Sequence, residues 1–341
     1  MLNRRLGSAA GFASFLAFFT LAAVPAPARS QTANPTIEAT QVQAGAFTFS
    51  IDATIGQVGG TAYERVYDQG YKLSELEWDL EGIAMGGVQG TAGFGRFRVS
   101  LGYWGALNEG DGDMVDRDWL VLGTDDWSDE SRHDNTDLDS GSIFDVNLNV
   151  RAFTRGTFSL SGILGYRHDE WKWSARGGDY TYTWDRNDDG YITRDEWRTY
   201  RGNFENDYYD DVLVIKYRQE YDVPYLGVGC EGMLGPVQLR GHLLYSTWVS
   251  GEDHDYHALR DMTFDGDFED GDWLGAGASA SWFFMPRWYA TLGVEYQKFD
   301  EIRGDLTVEG EELPTGAVTF SDSGSVEMET VLLLFGVGVK F

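Results

Sequence analysis

The last twelve residues, TVLLLFGVGVKF (330–341), alternate between two kinds of side chain. Successive side chains of a β-strand point to opposite faces, so one face of this stretch would carry six apolar residues: Val331, Leu333, Phe335, Val337, Val339 and Phe341. A soluble protein seldom ends on such a ridge. The pattern is typical of a barrel strand with one face in lipid and the other toward the lumen. The stretch therefore predicts a transmembrane β-barrel.

The same period defines ten candidate strands, at 46–66, 71–93, 96–109, 141–154, 157–175, 212–233, 236–250, 272–285, 287–304 and 325–341. Short connectors, at 93–95, 155–156, 235–236 and 285–287, alternate with long acidic ones near 67–71, 110–140, 176–211, 251–271 and 305–324. This alternation is typical of outer-membrane barrels. We predict an all-β fold, a ten-stranded antiparallel transmembrane β-barrel with long extracellular loops, over residues 45–341. A β-sandwich is the alternative, although it would not require export, an even strand count and a terminal Phe together.

The first residues resemble a secretory signal. Arg4 and Arg5 precede an apolar run that ends at Ala26-Pro27-Ala28, a cleavage pattern. A membrane anchor is the alternative, but Pro25 and Pro27 break the run, which is short for a span. We predict a signal peptide at 1–28, a flexible lead-in at 29–44 and location in the outer membrane of a Gram-negative cell, with the active site facing the exterior.

The chain is strongly acidic, with a formal net charge of −29. No basic face is available to neutralise phosphates, so nucleic acid is excluded as a partner. The charge suits cationic peptide or protein substrates. Cys230 is the single cysteine, which excludes an internal disulfide.

Two acidic stretches carry candidate chemistry. In Asp253-His254-Asp255-Tyr256-His257 the first, third and fifth side chains share a face, and a carboxylate beside an imidazole can orient it and raise its basicity. In MVDRDW (114–119), Asp116 and Asp118 also share a face. Two such carboxylates titrate as a coupled pair and can hold and deprotonate a water molecule.

These stretches resemble the omptin family of outer-membrane endopeptidases. The resemblance covers essentially the whole mature chain and rests on motifs in a shared order: ERVY (64–67), MVDRDW (114–119), WSDESRH (127–133), ARGG (175–178), PY (224–225) and Asp-x-Asp-x-His (253–257). It implies a ten-stranded barrel with an active-site groove at the extracellular rim.

The resemblance also implies residue roles. By position, Asp255 and His257 match the catalytic dyad, and Asp116 and Asp118 match the facing pair that positions the attacking water. Glu64 and Asp253 match the acidic floor that takes Arg or Lys before the cut, and Asp129 matches the acid facing the residue after it. The implied activity is that of an aspartyl-type endopeptidase that cuts next to basic residues and needs no cofactor for catalysis. We expect the protein to act as a monomer.

Three alternatives stay open. Ser131 and His133 could form a nucleophile and base pair. The barrel could also be catalytically silent and act as an adhesin or a surface calcium-binding protein. A diffusion pore is a weaker alternative, because ten strands leave a narrow lumen.

Two features depart from the family pattern. Known omptins bind lipopolysaccharide through basic residues, whereas the matching positions here hold His168, Glu170 and Glu220, so lipopolysaccharide dependence is doubtful for this outer-membrane protein. The segment 185–196 matches the EF-hand calcium pattern, with oxygen ligands predicted at Asp185, Asn187, Asp189, Tyr191, Thr193 and Glu196. We therefore predict Ca²⁺ binding in the 176–211 loop. An acidic loop that fits by coincidence is the alternative, since a strand-like segment rather than a helix precedes it.

Overall fold

The structure, a computed structural model, describes residues 47–121, 125–186, 192–204, 212–311, 313 and 315–341. The predicted signal peptide and lead-in lie outside these residues and stay predictions. The described residues form thirteen strands: β1 Phe47–Asp68, β2 Tyr71–Phe94, β3 Phe97–Ala106, β4 Gly112–Asp118, β5 Asp129–Arg155, β6 Phe158–Arg176, β7 Asp179–Tyr182, β8 Tyr200–Asn203, β9 Leu213–Leu234, β10 Val237–His257, β11 Met262–Phe283, β12 Trp288–Gly310 and β13 Ala317–Lys340.

Antiparallel pairing closes these strands into a barrel. Strands β3 and β4 occupy one position in the ring, because both lie between β2 and β5. From there the ring continues through β6 and β9 to β13, which pairs with β1. Among the described residues the ring thus has ten strand positions, as predicted. Strands β7 and β8 form a hairpin that extends from β5.

The alternation predicted for the last strand is confirmed. Leu333 and Phe335 are exposed on the outside, whereas Leu332 and Gly336, which flank them in sequence and point to the opposite face, are buried. Exposed apolar side chains form a band around the half of the barrel that carries the short turns, including Phe49, Ile55, Val99, Leu101, Leu164, Val228, Leu243, Leu292 and Phe335. Such a band is the surface that a barrel presents to hydrocarbon. No helix among the described residues combines the length and apolarity that a membrane span needs.

At the long-loop end the strands run further than the sequence predicts. The region expected to be a loop at 110–140 is largely strand, since β4 covers 112–118 and β5 starts at Asp129. Likewise β10 continues to His257 and β11 begins at Met262. The connector near 67–71 is a two-residue turn in which Gln69 and Gly70 both have positive φ, as a tight hairpin requires. The long extensions form a rim beyond the apolar band.

Candidate active site

Strand register aligns the first wall of the site. Glu64 on β1 pairs with Leu76 on β2, Leu76 pairs with Asp116 on β4, and Asp116 pairs with Ser131 on β5. Paired residues point to the same side of a sheet, and Leu76 is buried in the lumen. The carboxylates of Glu64 and Asp116 therefore face inward in one row. Asp118 lies two residues further toward the rim, opposite Asp129.

Strand β10 supplies the second wall, four strand pairings away from β4 around the ring. Asp253, Asp255 and His257 are all buried and point inward, as the two-residue spacing predicts. His254 turns outward, where its Nδ1 lies 2.6 Å from Asp265 Oδ1. The predicted separation of the two faces of this stretch is thus observed.

A layer of aromatic rings spans the lumen and connects these walls. Trp78 of β2 stacks on Tyr217 of β9, with ring centroids 5.1 Å apart and planes 12° apart, and Trp173 of β6 lies 5.8 Å from Tyr217. Tyr217 also pairs in register with Asp255. The layer fixes the separation of the two walls and disfavours a diffusion pore.

The buried dyad has the geometry of an oriented base. His257 Nε2 lies 2.5 Å from Asp255 Oδ2. An ionised Asp255 can only accept, so Nε2 carries the hydrogen and Nδ1 holds the lone pair of the neutral ring. In this tautomer Nδ1 is the basic nitrogen. Asp116 of the first wall interacts electrostatically with both Asp255 and His257 of the second wall, so the two walls face one site.

The carboxylates of the first wall are poised to share protons. Burial raises the pKa of Asp116, an effect opposed by His257. Burial, with Asp116 and Asp129 nearby, raises the pKa of Asp118 to about 8. Ser74 Oγ donates to Asp116 Oδ1 at 3.2 Å. Near neutral pH, therefore, Asp118 holds a proton that it can share with Asp116, and the pair can hold a bound water molecule.

Glu64 and Asp253 form an acidic pocket beside the dyad. Burial raises the pKa of Glu64 well above its usual range, and Asp255 and Asp253 raise it further. Burial and then Asp255 raise the pKa of Asp253 to about 8. Asp253 accepts hydrogen bonds from Gly266 N at 2.8 Å and Tyr217 OH at 3.3 Å. Within the described residues, Glu64 Oε2 and Asp255 Oδ1 are buried and meet no hydrogen-bond donor.

Asp129 lies at the rim, where β5 begins. Its carboxylate accepts hydrogen bonds from Ser128 Oγ at 2.7 Å and Thr183 N at 2.8 Å. Since it lies opposite Asp118, it adds negative charge beside the Asp116 and Asp118 pair.

Ser131 and His133 form a separate buried pair. Ser131 Oγ lies 3.0 Å from His133 Nε2, and His133 Nδ1 lies 2.6 Å from the carbonyl oxygen of Gly177. Burial lowers the pKa of His133. A main-chain carbonyl therefore orients this histidine in the place where the dyad has a carboxylate, and it stabilises an imidazolium less.

Several residues that contact the site carry no signal in the sequence. Arg260 Nη2 lies 2.5 Å from His257 Nδ1. Tyr182 on β7 interacts with Asp116 and Asp118, and burial followed by these acids raises its pKa. The side-chain amide of Gln219 on β9 donates a hydrogen bond to the main-chain oxygen of Tyr63 at 2.9 Å and so connects β9 to β1. Each is a common residue type in an ordinary setting, and register and ring closure bring it to the site.

The predicted calcium ligands are partly described. Asn187, Asp189 and Tyr191 lie outside the described residues. Glu196 accepts hydrogen bonds from Thr193 N at 2.9 Å, Thr193 Oγ1 at 2.6 Å and Arg186 N at 3.1 Å. Asp185 precedes Arg186 at the other end of this loop. The described residues alone contain no group of three or more metal-binding side chains, so the calcium site stays a prediction.

Strands β6 and β9 carry the residues that depart from the expected lipid-binding pattern, His168 and Glu170 on β6 and Glu220 on β9. Glu170 of β6 pairs in register with Glu220 of β9. Each carboxylate also forms an ion pair with a cation two residues away in its own strand, Glu170 with Lys172 at 2.8 Å and Glu220 with Arg218 at 2.8 Å. His168 Nδ1 lies 2.8 Å from Asp222 Oδ1. The positive charges here are balanced by acids of the chain.

The omptin family model matches residues 46–341. The chain belongs to the omptin family. The plasminogen activator of Yersinia pestis is 26% identical over 261 residues, covering 75% of this chain and 78% of that protein. Protease 7 of Escherichia coli K12 is 29% identical over 246 residues, covering 69% and 72%. The resemblance predicted from the motifs is confirmed.

This omptin also shares its fold with a solved relative. The crystal structure of the outer-membrane protease OmpT from Escherichia coli matches with a TM-score of 0.78 at 22% identity, covering 86% of this chain and 97% of that one. The protein is thus an outer-membrane β-barrel of a family of outer-membrane proteases.

Proposed function

We propose that this omptin is an endopeptidase that hydrolyses peptide bonds next to basic residues, with a water molecule activated by Asp and His as the nucleophile and the groove open to the exterior. The observation that carries the proposal is the Asp255–His257 hydrogen bond at 2.5 Å, set against Asp116 and Asp118 on the facing wall. General acid–base catalysis requires a base that accepts the proton and a group that holds the attacking water, both oriented in one cleft.

In the proposed mechanism the water lies between Asp116 and His257. Nδ1 of His257 takes a proton as the water oxygen attacks the scissile carbonyl carbon, and Asp255 stabilises the imidazolium that forms. The same proton then passes to the departing amine as the carbon–nitrogen bond breaks. Asp118 keeps Asp116 in a shared-proton pair that orients the water. This mechanism needs no covalent intermediate. Ser131 and His133 are therefore assigned a structural role in the first wall.

The proposed specificity follows from the buried carboxylates. Glu64 Oε2 is buried and meets no donor from the part of the chain that the structure describes, and Asp253 lies beside it. An unpaired buried carboxylate is costly, and a substrate guanidinium or ammonium would satisfy it. Two carboxylates also match the forked donors of arginine. At the rim, Asp129 would face the residue after the cut. Cationic peptides and basic loops of proteins are the proposed substrates.

Cleavage mapping tests this proposal. Purified protein would be incubated with a peptide library in which one position is Arg, Lys, Gln or Leu, and the products would be identified by mass spectrometry. We expect cuts beside Arg and Lys. Cuts without a basic neighbour would contradict the specificity, and absence of cleavage would favour the silent-barrel alternative of an adhesin or surface calcium-binding protein.

We also propose that Ca²⁺ binds the 185–196 loop and orders it beside the groove. Support comes from the sequence pattern and from Glu196, whose carboxylate already joins both ends of the described part of the loop through Thr193 and Arg186.

We further propose that activity does not require lipopolysaccharide and that the barrel acts as a monomer. Glu170 and Glu220 neutralise the neighbouring Lys172 and Arg218, so this surface offers no net positive charge to bind lipid phosphate. Equal activity of the detergent-solubilised protein with and without added lipopolysaccharide is expected, and strict dependence would contradict the proposal.

A further inference from the structure

The turn that follows the catalytic strand places a cation of the chain itself on the catalytic base. Arg260 lies in the four-residue turn 258–261 between β10 and β11. Its Nη2 lies 2.5 Å from His257 Nδ1. Because Asp255 occupies Nε2, both ring nitrogens of His257 are hydrogen-bonded.

This contact blocks the base chemically. A guanidinium donates and never accepts, so it occupies the lone pair of Nδ1 that would take the proton of water. It also places a positive charge next to the ring nitrogen that would receive the proton. The base is therefore capped until Arg260 moves.

The surroundings explain why the cation lies there and why it can leave. Arg260 interacts electrostatically with Asp116, Asp118 and Tyr182, so its charge offsets part of the acidic field of the groove. Yet Arg260 itself is exposed, and an exposed ionic contact is weak enough to be exchanged for another cation. Its backbone N donates to His257 O at 3.2 Å, which keeps the turn close when the side chain swings away.

We propose that Arg260 is a displaceable cap on the catalytic base. In the free enzyme its guanidinium occupies the groove as an internal stand-in for a cationic substrate, and entry of a basic peptide displaces it and frees Nδ1. The inference deepens the proposed function and rests on it. It gives the groove a second selection step, because a neutral peptide has no charge with which to replace the cap.

Kinetics give the first test. Arg260→Ala is compared with the wild type and with Arg303→Ala, a control in which another rim arginine, stacked on Tyr67 and 3.2 Å from Glu301, loses its charge. With a short Arg-Arg peptide we expect Arg260→Ala to raise kcat/KM about threefold to tenfold, the range that the net free energy of one ordinary exposed hydrogen bond gives. Added guanidinium chloride should inhibit this variant at lower concentration than the wild type. A fall in kcat for Arg260→Ala would overturn the cap in favour of a direct role in the reaction.

Chemical labelling gives a test that does not depend on turnover. Diethyl pyrocarbonate acylates an imidazole nitrogen that has a free lone pair, and peptide mapping reports each histidine separately. We expect His257 to react about threefold to tenfold faster in Arg260→Ala than in the wild type or Arg303→Ala, while outward-facing His254 reacts equally in all three. Equal His257 rates in wild type and Arg260→Ala would overturn the inference. If the wild type cleaves no peptide, the proposed function fails, and the labelling still decides whether the cap exists.

Discussion

Replacing Glu64 by Gln should remove selectivity for a basic side chain while leaving the shape of the pocket intact. Glu64 is 3% exposed, and its Oε2 meets no donor among the described residues. Breaking a buried ion pair by neutralising one partner costs about 3–5 kcal/mol. Asp253 remains to bind the cation, so we take the lower value of about 3 kcal/mol, which corresponds to roughly a 100-fold loss in kcat/KM.

The assay compares two peptides that differ by one group before the scissile bond, arginine or its neutral isostere citrulline. Glu64→Gln should lose roughly 100-fold on the arginine peptide and little on the citrulline peptide. Glu77→Gln is the matched control, because Glu77 lies on the neighbouring strand, outside the pocket, and pairs with Arg117 at 3.3 Å. If Glu64→Gln slows both peptides by the same factor, Glu64 acts through the fold and the specificity argument is refuted.

Three further outcomes follow from the site. The pKa of Asp253 is raised to about 8, so the ionised, cation-binding form of this carboxyl increases as pH rises. For the wild type, kcat/KM for arginine peptides should therefore rise up to about pH 8, and this rise should be weaker in Asp253→Asn. An identical pH profile for citrulline peptides would argue against this. Asp116→Ala should lower kcat about 10³-fold and Ser131→Ala about tenfold or less, because only the former removes a group that activates water; the reverse order, or a trapped acyl-enzyme, would favour the serine mechanism. Calorimetric titration should detect Ca²⁺ binding that weakens in Glu196→Gln, and no heat in the wild type would remove the calcium proposal.

The strand period in the sequence predicts the part of the barrel that touches lipid. In 330–341 the alternation is enforced by hydrocarbon on one face, so it can be read from the residues alone. At the rim both faces meet water or a polar cleft, and the alternation disappears from segments such as 129–140. Backbone pairing across each hairpin continues the ladder there regardless of side-chain type, which is why the strands extend beyond the predicted ends.

In the candidate site, too, some residue positions can be predicted from the sequence and others cannot. Residues two apart, such as Asp255 and His257, are predicted to share a face because that relation is local. The row from Glu64 to Asp116 depends on register between strands that are distant in sequence, and family resemblance rather than periodicity indicated it. Arg260 could not be predicted, because a single arginine in a turn is usually a solvated side chain.

The most direct test of the central claim is the turnover of one Arg-Arg peptide by wild type, His257→Ala and His254→Ala. Both histidines lie in the same five residues, but His257 is buried against Asp255 and His254 faces outward toward Asp265. If His257 is the general base, its removal should lower kcat about 10²- to 10⁴-fold, while His254→Ala should behave as the wild type. Equal turnover by wild type and His257→Ala would contradict the account.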